Sequence, residues 1–229
     1  MSRIELDGVG VDLDGTPVLH QVTAHLDADR IAVVGANGSG KSTLLRLLDG
    51  LLPRPAVSGR VRVLGLDPVR DARKVHRRVG FVFTDPDTQI VMPTVREDVA
   101  FSLRGLGLSP EAAADRVRAQ LDAYGLAGLA DAPAHSLSGG QKQLLALAAV
   151  LVRDPGLVLA DEPTTMLDLP NSRRVADLLV DGIGRPLIVA THDLDLAARC
   201  DLALRFEGGR LIATGAPADI IAAYRREYA

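Results

Sequence analysis

A chain of 229 residues with 47% hydrophobic side chains is long enough for one large α/β domain carrying an inserted subdomain, with ample material for a core. Its net charge of −3 excludes binding to nucleic acid through a global basic field, and no apolar run approaches the ~18–20 residues needed to span a bilayer. A single cysteine, Cys200, excludes a disulfide framework and a cysteine-based metal site, and its apolar surroundings make it a small core residue. Glu5, Asp7, Asp12 and Asp14 interrupt the first thirty or so residues, so no signal peptide is read there. A cytosolic chain is expected, with any membrane role peripheral.

Residues 4–11 and 18–26 alternate like antiparallel strands, and 31–34 form a short apolar run of the kind found in buried parallel strands. That run feeds Gly35, Ala36, Asn37, Gly38, Ser39, Gly40, Lys41, Ser42 and Thr43, which fit the phosphate-loop pattern, and a leucine-rich helix follows over 42–52. Glycines at 35, 38 and 40 let successive backbone N–H groups face phosphate oxygens. Lys41 adds a point charge between β- and γ-phosphates, Ser42 a hydroxyl for Mg²⁺, and the helix its N-terminal dipole. This loop fits a kinase, a GTPase or an ATPase equally well. The basic cluster Arg70, Arg73, Lys74, Arg77 and Arg78 reads as a solvated helical face, and 79–83 as another buried strand. The stretch 94–130 differs in character: Ser109 caps a helix with Pro110 at its first position, continuing over 111–124 with Val117 and Leu121 on one side.

Ser138, Gly139, Gly140 and Gln141 open an apolar helix reaching Val152. Ser138 is its cap, and the bare glycines permit close approach of a phosphate. The run 157–160 delivers Asp161 and Glu162 to a strand's C-terminal end, where ligands bind in open α/β sheets. Strands over 187–190 and 202–205 alternate with helices over 170–183 and 194–199. Gly208-Gly209, a strand over 211–214 and a helix over 216–228 close the chain. Such alternation argues for a mostly parallel sheet with crossover helices.

The phosphate loop, Leu137-Ser-Gly-Gly-Gln141 and Leu157-Val-Leu-Ala-Asp-Glu-Pro163, in that order, resemble the ATP-binding-cassette ATPases. The resemblance runs from about Ile4 to Ile221. It implies a P-loop NTPase fold: an α/β core with a mostly parallel sheet, a small antiparallel β subdomain, and a helical subdomain inserted over about 84–152 within one nucleotide-binding domain, 1–229. It further implies ATP and Mg²⁺ as cofactors. By the same resemblance Asp161 holds the Mg²⁺ shell with Ser42, Glu162 polarises the attacking water, and His192 contacts γ-phosphate. Ser138, Gly139, Gly140 and Gln141 face the γ-phosphate of a second subunit, and Asp168 lies in a loop linking two sites. The site is then complete only in an ATP-dependent homodimer or a pair with a similar ATPase. Three residues depart from the pattern: Thr84 stands where relatives place a metal-contacting Gln, Leu13 where they stack adenine on an aromatic ring, and Met166 where many carry a small residue.

Residues 84–101 followed by Leu106-Gly-Leu108 are similar to the energy-coupling-factor group, and Phe83-Thr-Asp-Pro-Asp87 with Ile90-Val-Met-Pro-Thr94 most to its biotin-transporter ATPases. That resemblance implies a transmembrane coupling subunit and a substrate-binding membrane subunit as partners, at the cytoplasmic face of the membrane, with no nucleic acid. Cobalt or nickel uptake and a non-transport cassette ATPase are the alternatives. Gln89 is expected to face the partner if 87–91 form a short helix.

Overall fold

The computed structural model describes residues 3–227. The chain opens with a hairpin of β1 (Ile4–Leu13) and β2 (Thr16–Leu26). Its turn residues Asp14 and Gly15 have φ of 51° and 81°, which a two-residue primed turn demands and Asp-Gly supplies. β3 (Arg30–Val34) leads to α1 (Lys41–Asp49), which ends at Gly50 in the left-handed region, a common helix stop. Then come β4 (Val57–Val63), α2 (Ala72–Val75), β5 (Val79–Val82), α3 (Val95–Ser102), α4 (Pro110–Ala123) and α5 (Gly139–Leu151). β6 (Leu157–Asp161), α6 (Leu169–Asp177), β7 (Leu187–Ala190), α7 (Leu194–Ala198), β8 (Leu202–Glu207), β9 (Arg210–Gly215) and α8 (Pro217–Glu227) follow. Tyr228, which the sequence pattern assigns to the last helix, lies outside the described residues.

Two compact units divide the chain. The first holds residues up to 81, 156–162 and the stretch from 184 onward. Its larger sheet has strand order β5-β6-β7-β3-β8-β9. β6, β7, β3 and β8 run parallel, and β9 is antiparallel at the edge. Almost every residue of β3, β6 and β7 is buried, so these strands read as continuous apolar runs. Cys200 is buried here, its thiol pushed up to about 11 by desolvation, which fits a core residue.

The smaller sheet, β2-β1-β4, is antiparallel. The apolar pattern predicts only its first two strands. β4 escapes notice because Ser58, Gly59, Arg60 and Arg62 interrupt it, and only Val61 and Val63 are buried. A signal was present in its charges: Arg60 stands opposite Asp7 and Arg62 opposite Glu5, the cross-strand pairing that stabilises an exposed sheet face. The basic cluster is solvated as expected but is not one helical face, since α2 carries only Arg73 and Lys74 of it; Lys74 pairs with Asp71 at 2.7 Å.

The second unit holds 82–155 and 163–183. α3 starts with a capping box between Thr94 and Glu97, and α4 with Ser109 as cap and Pro110 at N1. α6 continues as a π turn over Leu178–Gly182. Asp98 on α3 is 3% exposed, and its Oδ1 accepts the N–H groups of Val91 (2.9 Å) and Met92 (3.0 Å). Burial raises its pKa, opposed by those two hydrogen bonds. Asp98→Ala is expected to cost about 1–3 kcal/mol by orphaning both amides, read by denaturant unfolding. Asp98→Asn keeps an acceptor and removes the titration. Because the folded-state pKa exceeds the unfolded value, the folded state holds the extra proton, and wild-type stability falls as pH rises from about the ordinary carboxylate value upward through the folded pKa. That part of the pH slope should vanish in Asp98→Asn.

Candidate functional site

In the first unit β3 ends at Gly35, whose position admits no side chain: a Cβ there would strike the carbonyl oxygen of Phe206 and lie 2.7 Å from Ser39 Oγ. Gly40 is left-handed (φ 101°) and a Cβ would sit 2.7 Å from Leu19. The loop is braced by the β8–β9 hairpin, where Gly209 donates its N–H to Ser39 O (3.1 Å) and accepts from His20 N (2.9 Å). The apolar pattern marks Gly208-Gly209 only as a break, and this supporting role is legible solely from the fold. Val18, residues 37–43 and Glu162 line a cavity of about 190 Å³. Lys41, 5% exposed, donates from Nζ to Gly35 O (2.8 Å) and Ala36 O (3.2 Å).

Beside that loop, β6 delivers the two carboxylates. Asp161 is 4% exposed, and its Oδ1 accepts from Ser42 Oγ at 2.8 Å. Desolvation raises its pKa, with the Ser42 hydrogen bond acting against it. Glu162 adopts φ 49° and donates its backbone N–H to Ala190 O. An unusual conformation for a side-chain-bearing residue, held by a neighbouring strand, is a common mark of functional positions. Its Oε1 lies 3.7 Å from Lys41 Nζ. Its Oε2 accepts His192 N (3.2 Å) and stands 2.7 Å from His192 Nδ1. With Nδ1 donating to that carboxylate, Nε2 is left to accept when the ring is neutral and to donate when it is protonated.

Ser42 and Asp161 offer two hard oxygen donors side by side, suited to Mg²⁺. Among the described residues no group of three or more His, Cys, Asp or Glu could hold a metal, so a cation at Ser42 and Asp161 would need the rest of its shell from phosphate and water, as Mg²⁺ commonly takes it. A buried carboxylate whose charged form is disfavoured gains from that cation.

Ser138, Gly139, Gly140 and Gln141 lie in the second unit, at the start of α5. Ser138 and Gln141 form a reciprocal capping box, with Ser138 N donating to Gln141 Oε1 at 2.9 Å. Gly139 faces open space, whereas a Cβ on Gly140 would lie within 2.7 Å of the Asn171 side chain. Asn171 in turn donates from N and Nδ2 to Asp168 Oδ1 (3.0 and 2.8 Å). Asn171 thus joins the two sequence motifs, a residue the motifs themselves do not flag. Met166 has φ 69° and is 86% exposed. Thr84 is half-buried at the exit of β5. The following segment forms a single 3₁₀ turn, Pro86–Thr88, not a helix over 87–91, and Gln89 Oε1 is turned back to accept Phe83 N at 3.2 Å.

A sequence profile described as ABC transporter matches residues 19–165. A putative ABC transporter ATP-binding protein of Deinococcus radiodurans is 49% identical over 97% of both chains. The biotin transport ATP-binding protein BioM of Rhizobium etli is 42% identical over 97% of this chain and 98% of its own. The nickel import ATP-binding protein NikO of Rhodobacter capsulatus is also 42% identical, over 95% and 91%. Among solved structures, cbiO1 of Clostridium perfringens, part of the ABC transporter complex cbiONQ, aligns with a TM-score of 0.86 and 32% identity, covering 97% of this chain and 92% of that one.

Proposed function

This chain belongs to the ABC transporter family and is an ATPase of it, and from that premise we propose that it energises an importer of the energy-coupling-factor type. It works as a peripheral subunit at the cytoplasmic face of the membrane, with a membrane coupling subunit and a membrane substrate-binding subunit. No helix among the described residues is long and apolar enough to cross a membrane, which suits a chain that reaches its substrate only through partners. Biotin is the favoured substrate, on the residues 83–94 that resemble biotin-transporter ATPases. Equal identity to a nickel import protein keeps cobalt or nickel as the second reading.

The placement of Glu162 carries the hydrolytic reading. Its carboxylate shares the cavity with the phosphate loop and is oriented by His192, an arrangement able to accept a proton from a water aimed at a terminal phosphate. Bound MgATP supplies the phosphoryl group to be transferred and a cation that neutralises its oxygens. The backbone N–H groups of 38–43 and Lys41 would hold the phosphates, and Ser42 with Asp161 would hold the cation. Ser138, Gly139, Gly140, Gln141 and Asp168 serve the nucleotide of a second copy. Val91, 62% exposed, and Phe101, 40% exposed with the Arg104 guanidinium 4.7 Å over its ring, are the side chains offered to the membrane subunit.

Co-expression with its membrane subunits, followed by reconstitution in vesicles, tests this reading. ATPase activity should rise on assembly, and labelled biotin should accumulate only with ATP. Accumulation of Ni²⁺ or Co²⁺ instead would move the substrate to a metal ion, and co-purification with no membrane protein would overturn the importer reading.

A further inference from the structure

The first turn of α5 holds a cation where the helix dipole opposes one. Lys142 follows Gln141 directly, its side chain is only 17% exposed, and its Nζ lies 2.6 Å from Asp87 Oδ1. Asp87 belongs to the 3₁₀ turn Pro86–Thr88, and its own N–H is held by Asp85 Oδ1 at 3.0 Å. The same segment is tied at its start by Gln89 to Phe83 N, and at its end by Asp98 to Val91 and Met92. Segment, α3 and α5 all lie within the second unit. A partly exposed ion pair contributes little to stability, so stability alone gives a poor reason for a lysine at the unfavourable end of a helix.

We propose that the Lys142–Asp87 pair is the positioning link through which the Ser138–Gln141 end of α5 and the segment after β5 move together. The inference rests on the importer reading, in which the first element meets nucleotide and the second lies beside the surface offered to the membrane subunit. Displacement of the α5 N-terminus on nucleotide contact is passed through the ion pair to Asp87. The ties at Phe83 and at Val91–Met92 then oblige the whole segment to follow. Lys142 and Asp87 touch no reacting group and act through the elements they join.

The test uses the assembled complex in vesicles, comparing wild type, Asp87→Asn, Lys142→Met and the double exchange Asp87→Lys with Lys142→Asp. Each single variant should keep the basal ATPase of the isolated chain and its thermal midpoint, yet lower substrate uptake per ATP by about fivefold or more, the size of a modest coupling between sites. The exchanged pair should recover most of that loss, which a purely structural role would not produce. If wild type shows no partner-stimulated ATPase, the importer reading fails and the link with it. If wild type is stimulated and both single variants transport at unchanged ATP cost, or the exchange recovers nothing in folded protein, the link alone is overturned.

Discussion

Glu162→Gln is expected to lower ATP turnover by ~10²-fold or more, the usual consequence of losing a positioned base, while ATP binding persists and a closed ATP-bound dimer accumulates. The substitution changes little else. Gln has the same length, tolerates the left-handed backbone at φ 49° no worse than Glu, and keeps one oxygen to accept from the His192 backbone and ring. What it loses is the ability to take a proton. The amide also brings a donor to a place already supplied with donors, since Lys41 Nζ lies 3.7 Å from one oxygen and His192 engages the other. Single-turnover kinetics with a parallel nucleotide-binding measurement separate the two effects, and near-normal turnover would remove Glu162 from the role of base.

The parallel core and the phosphate loop were legible because each rests on local chemistry. Buried strands such as β3 and β6 are apolar over 31–34 and 157–160, and a loop that admits no Cβ at Gly35 must spell glycine there. β4 was illegible to an apolar pattern because only Val61 and Val63 of it are buried, and the residues it stands against, Asp7 and Glu5, lie more than fifty residues away in sequence. Supporting residues were hidden for the same reason. Nothing around Gly209 announces that its N–H will brace Ser39, nor anything around Asn171 that it will fill the space beside Gly140. The resemblance points His192 at a γ-phosphate, and its bond to Glu162 is legible only in the fold. The helix over 87–91 on which a partner-facing Gln89 depended does not form, and its amide oxygen instead accepts the backbone N–H of Phe83.

Lys41→Ala should weaken ATP binding by about two orders of magnitude, since charge-assisted hydrogen bonds contribute roughly 1.5–3 kcal/mol each and every 1.4 kcal/mol is tenfold. Lys41 is 5% exposed and the held position of its ammonium is specific: it donates to the carbonyls of Gly35 and Ala36 and stands near Glu162. Removing it therefore has two consequences of different origin. Without nucleotide, two carbonyls lose their donor, and Glu162 and Asp161 lose a nearby cation, so the free protein should unfold at lower denaturant by about 1–3 kcal/mol. With nucleotide, the phosphates lose a point charge that backbone N–H groups cannot replace. The contrast with Glu162→Gln is the informative part, because one variant should bind without turning over and the other should fail to bind. Titration calorimetry with MgATP on both variants, alongside unfolding of each without nucleotide, reads the two consequences separately. An unchanged affinity in a Lys41→Ala protein that is destabilised as expected would mean that the lysine's charge serves the loop and not the nucleotide.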